Sequence, residues 1–205
     1  MNRFRPLGFV LSLMLMPFLW VSCRSPEPPR SGYVPAEEEG AMTIALDDHD
    51  YDLAVAGITR ELFTRGLPKD YTVVLGPVDT RESPYDVRVR QIQKSLQVAL
   101  NKEGTLHFMT AVDAMAGNSA VEEIYKLIQF NWMNSNPIDV EDMQTFGRLL
   151  RVNGILFGRV SSLERELPGR MREITYRFVW ELSNTDTGLL EISHEEKIRK
   201  NVRVR

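Results

Sequence analysis

The sequence predicts an α/β fold of α+β-like character: a single domain with a mixed β-sheet, built from a βαβ unit and a C-terminal antiparallel meander, with helices packed on the sheet. Three observations predict it. Apolar runs at residues 71–78 and 105–110 flank a helical stripe, and a right-handed crossover between two such strands makes them parallel. Two more helical stripes follow between 119 and 150. From 154 onward the apolar period drops to two, with turn residues at 167–169 and 183–188.

The segment before the domain has its own pattern. Arg3 and Arg5 stand in the first five residues with no acid, and residues 7–20 are almost wholly apolar. That is the charged start and short apolar stretch of a secretory signal, and it falls short of the roughly 17–25 apolar residues of a membrane-spanning helix. Ser22 offers a small residue at the cleavage position, directly before Cys23, the one cysteine in the chain. Cleavage after Ser22 would make residues 1–22 a signal peptide. Residues 24–40, "RSPEPPRSGYVPAEEEG", hold four prolines and three consecutive glutamates. So little apolar surface cannot offset chain entropy, so 23–46 reads as a tether. Extended like polyproline, residues 24–40 would reach roughly 50 Å at ~3.1 Å each.

The domain is expected over 47–205. Asp47, Asp48 and Asp50 precede a stripe of Tyr51, Val55, Ile58 and Leu62, the spacing of one helical face. The acids suit a helix start better than a metal site, because no further ligands stand at useful spacing. Gly66 and Pro68 end that helix. "YTVVLGPV" (71–78) is apolar nearly throughout, as a strand covered on both faces would be. Ser83, Pro84 and Asp86 then resemble a helix cap, followed by a stripe of Val89, Ile92, Leu96, Ala99 and Leu100. Ser119 and Glu122 are spaced as a capping box before Val121, Ile124 and Ile128. Asp139 caps a last helix with Val140, Met143, Phe146 and Leu150, and Asn153-Gly154 reads as its left-handed exit. In the meander, Tyr176, Phe178, Trp180 and Leu182 alternate against Arg177, Val179 and Glu181, and "SNTDTG" (183–188) closes a hairpin onto a final strand at 189–198.

Charge and motif content narrow the function. Without residues 1–22 the chain carries 23 basic and 28 acidic residues, a net charge of −5. Such a balance does not point to nucleic acid, which calls for a basic face. One cysteine allows no disulfide within the chain. No glycine-rich phosphate loop, HExxH, CxxC or GxSxG occurs, and His49, His107 and His194 lie far apart. No catalytic residue, metal ligand, cofactor or small-molecule substrate is therefore expected. The alternating basic tail (Lys197, Arg199, Lys200, Arg203, Arg205) reads as a charged strand edge that discourages aggregation. "QFNWMNSNP" places Phe130, Trp132 and Met133 at a helix end, as core or, if exposed, as an anchor for a protein partner.

Trp20-Val21-Ser22-Cys23 resembles the lipobox of bacterial lipoproteins. The resemblance implies a diacylated Cys23 thiol and an acylated new amino terminus (palmitate among the chains). With Arg24 rather than aspartate next, it also implies an outer-membrane destination. The domain as a whole resembles the LpoB family of outer-membrane lipoproteins that activate class A penicillin-binding proteins. The carrying stretches are "VVLGPVDTRES" (73–83), "NGILFGRVSS" (153–162) and "YRFVWELSNTDTG" (176–188), with Asp79 and Arg81 where the family has an Asn-x-Thr turn. The resemblance implies a non-catalytic regulator of peptidoglycan synthesis whose domain faces the periplasm and binds the synthase as a protein partner. Asp79, Arg81, Tyr85 and Trp132 are the candidate partner-binding residues, taken as exposed loop or loop-adjacent positions. A structural or assembly lipoprotein of a secretion or transport complex is the alternative on such a scaffold.

Overall fold

The computed structural model describes residues 44–203 except 69, 104–105, 112–114 and 116. The expectations at Ser22 and Cys23, and most of the tether, lie outside the described residues. Nine elements run in the order α1 (Asp48–Thr64), β1 (Thr72–Glu82), α2 (Val89–Glu103), β2 (His107–Thr110), α3 (Ser119–Met133), α4 (Val140–Leu150), β3 (Gly154–Leu167), β4 (Met171–Asn184) and β5 (Leu190–Arg203) among the described residues.

The five strands form one sheet in the order β2-β1-β3-β4-β5. β1 is parallel to both β2 and β3, and β3, β4 and β5 form an antiparallel meander. This is the mixed sheet that the sequence predicts. Helices cover it unequally. On one face α1 and α2 close over Val73, Leu75, Leu156, Tyr176, Phe178, Trp180 and Leu182. On the other, α3 and α4 pack over Val74, Ile155 and Phe157. Val73 and Val74 thus feed opposite cores, which is why the run at 71–78 carries no alternation.

The cores follow the predicted stripes. Tyr51, Val55, Ile58 and Leu62 of α1 are all buried, as are Tyr176, Phe178, Trp180 and Leu182 of β4. Trp180 can be enclosed because its indole nitrogen donates to the Ala54 carbonyl at 3.0 Å. Asp47 caps α1 by accepting from the Asp50 amide, while Asp50 accepts from the Asp47 amide, a reciprocal capping box. Upstream of that cap, Leu46 is buried and the Ile44 carbonyl accepts from Tyr176 Oη at 2.8 Å.

Four local expectations are corrected. β1 runs on to Glu82, because β3 lies alongside and continues the pairing to Glu82 opposite Ser161. α2 starts at Val89, not Pro84: the Ser83 hydroxyl is engaged with Ser162 Oγ at 3.2 Å, and the Arg88 amide donates to Tyr51 Oη at 2.9 Å. The cap of α3 is Asn118, one residue earlier than Ser119, and its side chain accepts from the Val121 amide. Arg151, not Asn153-Gly154, takes the left-handed position after α4 (φ 56°). Asn153 is instead stapled to the start of β1: its amide donates to Thr72 O at 2.8 Å, and its Oδ1 accepts from the Thr72 amide at 2.8 Å.

Candidate partner-docking site

The four residues singled out in the sequence do not form one loop. Asp79 and Arg81 lie inside β1, so their placement on an exposed loop is corrected. Asp79 is only 3% exposed. A register shift between Leu75 and Val78 puts Val78 on the α1/α2 core and turns Asp79 to the opposite face. There Arg81, two residues on, reaches back along the strand: Nε donates to Oδ1 at 2.9 Å and Nη2 to Oδ2 at 2.8 Å. The Arg81 amide also donates to Oδ1 at 3.1 Å. These Arg81 hydrogen bonds hold the Asp79 carboxyl below the usual carboxylate range, outweighing the opposite pull of its burial.

Trp132 shares that face. Its ring stacks on Phe157 of β3 with centroids 4.6 Å apart, and its indole nitrogen donates to the Gly158 carbonyl at 3.2 Å. It is half-buried, its flat side given to the core. Its other neighbour is Arg159, whose guanidinium lies 5.0 Å from the Trp132 centroid and whose Cα pairs with Asp79 across the β1–β3 ladder. Arg159 completes the site and was not among the residues picked from sequence. The signal was present: in "GILFGRV" one cation interrupts a run that is otherwise apolar or glycine.

Tyr85 belongs elsewhere. Its ring meets Tyr176 edge-on at 5.8 Å on the α1/α2 side, and its hydroxyl donates to Glu164 Oε2 at 2.6 Å. Glu164 in turn pairs with Arg172 at 2.6 Å. This cluster fixes the loop between β1 and α2 against the outer half of the β3–β4 hairpin. The sheet therefore separates Asp79, Arg81, Trp132 and Arg159 from Tyr85.

Beyond this site the face of β3, β4 and β5 is open. Leu163 is 72% exposed, and Arg177 and Lys197 form an ion-pair group with Glu195 at 2.5 and 2.7 Å. No helix among the described residues is long and apolar enough to cross a membrane. No group of three histidine, cysteine or acidic side chains among them could hold a metal ion.

No family model matches the chain, and no curated protein matches it in sequence. Solved structures similar to it include the LpoB C-terminal domain from Salmonella enterica, at 11% identity and a TM-score of 0.45, covering 71% of this chain and 97% of that one. Escherichia coli LpoB is similar at 13% identity and a TM-score of 0.45, over 95% and 96% of the two chains. A lipoprotein from Neisseria meningitidis is similar at 18% identity and a TM-score of 0.40, over 64% and 83%. Likeness of fold at such identities assigns no activity.

Proposed function

We propose that the chain is a lipid-anchored envelope protein of LpoB type that binds and activates a class A penicillin-binding protein from the periplasmic face of the outer membrane. One observation carries this reading. The three stretches on which the family resemblance rests, 73–83, 153–162 and 176–188, are the adjacent strands β1, β3 and β4 with the turn after β4. The first stretch lies far from the other two in sequence, yet all three meet as one continuous block of the sheet. The anchor would be Cys23 after cleavage behind Ser22, several acyl chains giving firm attachment where one alone is marginal. The protein would do no chemistry itself. Activation then requires that the domain bind the working conformation of the synthase more tightly than the resting one.

The test is reconstitution of the full acylated chain with a purified class A synthase and lipid-linked glycan substrate. Faster glycan polymerisation supports the reading, and an unchanged rate with no binding refutes it. In cells, Cys23→Ser should release the protein from the membrane fraction and abolish incorporation of a palmitate analogue.

A further inference from the structure

We propose that Arg159, laid across Trp132 at the margin of the open sheet face, is a docking cradle for one carboxylate side chain of a protein partner, with Leu163 as the apolar contact beside it. This rests on the function proposed above and describes its partner more closely.

The cradle follows from how Arg159 is satisfied. A half-buried guanidinium normally faces a carboxylate, because a charge withdrawn from water without a partner is costly. Among the described residues no carboxylate stands within salt-bridge distance of Arg159. Asp79, its cross-strand neighbour, already holds Arg81 through both oxygens. Arg159 is left with the Trp132 ring and two long contacts from Nη2, to Trp132 O and Ser135 Oγ, each 3.4 Å. Its buried Nε has no hydrogen-bond partner. The guanidinium is oriented, and the one carboxylate it attracts, Asp79 across the ladder, gives its hydrogen bonds to Arg81.

Charge then selects the occupant. Asp79 pairs with Arg81, and Arg177 and Lys197 with Glu195, so beside Trp132 Arg159 is the one cation without an ion pair among the described residues, with Arg165 and Arg199 further out on the same face past Leu163. A single carboxylate matches it. A polyanion would need a run of unpaired cations to bind comparably. Leu163 adds the second determinant. It lies four residues from Arg159 on the same face of β3, about 13 Å away at ~3.3 Å per residue. An extended partner segment with an acid and an aliphatic residue four positions apart would engage both.

Two arms test this. In the first, nuclear magnetic resonance follows the Trp132 indole N–H of the full chain during titration with two blocked pentapeptides, Leu-Thr-Ser-Thr-Glu and its reverse. The expected result is a saturable shift at millimolar peptide with at least one of them. The shift should vanish in Arg159→Gln and when glutamine replaces the peptide's glutamate. An indole that stays still with both peptides overturns the proposal. In the second arm, binding to the purified synthase is measured for wild type, Arg159→Gln, Leu163→Ser and Arg65→Gln, the last a distant exposed control. Arg159→Gln should weaken binding tenfold or more and Leu163→Ser about threefold, with Arg65→Gln unchanged. Wild-type affinity in Arg159→Gln, with its fold intact by circular dichroism, also overturns it. If wild type binds no synthase while the peptide shift is present, the proposed function fails and the cradle stands.

Discussion

Lys200, near the end of β5, closes on Asp50 in the first turn of α1. Lys200 Nζ also donates to the Ala45 carbonyl at 2.7 Å and lies 3.8 Å from Asp47. The lysine side chain is 14% exposed and that of Asp50 9%, so the pair is largely out of water. It ties the chain entering the domain to the last strand. Removing one partner of such a pair strands the other charge, which costs more than the pair contributes. Lys200→Met should lower unfolding free energy by about 3 kcal/mol in urea titration. Adding Asp50→Asn to it should recover part of that loss, since the stranded carboxylate is then gone. Additive losses would refute the coupling.

Gly57 and His194 make a second contact of the same helix and strand. A methyl group on Gly57 would fall 1.9 Å from His194 Nε2 and within 2.9 Å of two ring carbons. Alanine is the better helix former by about 1 kcal/mol, yet the imidazole or the helix must move, and overpacking costs about 1–3 kcal/mol. Gly57→Ala should therefore destabilise the wild type. In a His194→Ala background the same change should be neutral or stabilising. A stabilising Gly57→Ala in the wild type would show that the ring swings away freely.

Patterns of short range were the legible ones. Tyr176, Phe178, Trp180 and Leu182 declare their strand because alternate positions share one face, and the α1 stripe is as clear because four residues repeat at helical spacing. What stayed hidden depends on partners far off in the chain. Ser83 cannot start α2 while its hydroxyl faces Ser162, 79 residues away. Asn153 looks like a helix exit until Thr72 is seen to bond both its amide and its side chain. The candidate site was half legible. Trp132 and Asp79 stood out by type, but Arg159 joins them only through the β1–β3 register, and Tyr85, in the loop past β1, is drawn to the other side by Tyr176 and Glu164.

Alkaline stability should report the buried tyrosines. Burial pushes Tyr125 up to about 12. It also raises Tyr71, with help from the Glu191 carboxylate 2.5 Å from its hydroxyl, and Tyr176. For each, the folded value lies above the unfolded one near 10, so the stabilisation is complete below pH ~10 and is lost as pH rises beyond it. Absorbance at 295 nm should show these phenols ionising together with loss of the near-ultraviolet circular dichroism signal. Full phenolate absorbance while that signal persists would contradict the assigned burial.

The Asp79–Arg81 pair gives the opposite dependence. The Asp79 value is depressed, so the stability it confers is present above the ordinary carboxylate range, near pH 4, and is lost as pH falls through the depressed folded value. Arg81→Ala removes the donors responsible and leaves a buried acceptor short of partners, a state that costs stability wherever the acid is charged. The variant should therefore unfold at lower urea than wild type at pH 7, with its acid transition moved to higher pH. The gap between the two proteins should narrow as pH falls below the ordinary carboxylate range, because Asp79 in the variant, without the Arg81 donors, protonates first and is relieved of its unpaired charge. Because Arg81 is exposed and points away from the core, folding itself should survive the change. A urea midpoint difference that stays constant from pH 7 to pH 3 would mean that Arg81 acts through packing and not through the Asp79 charge.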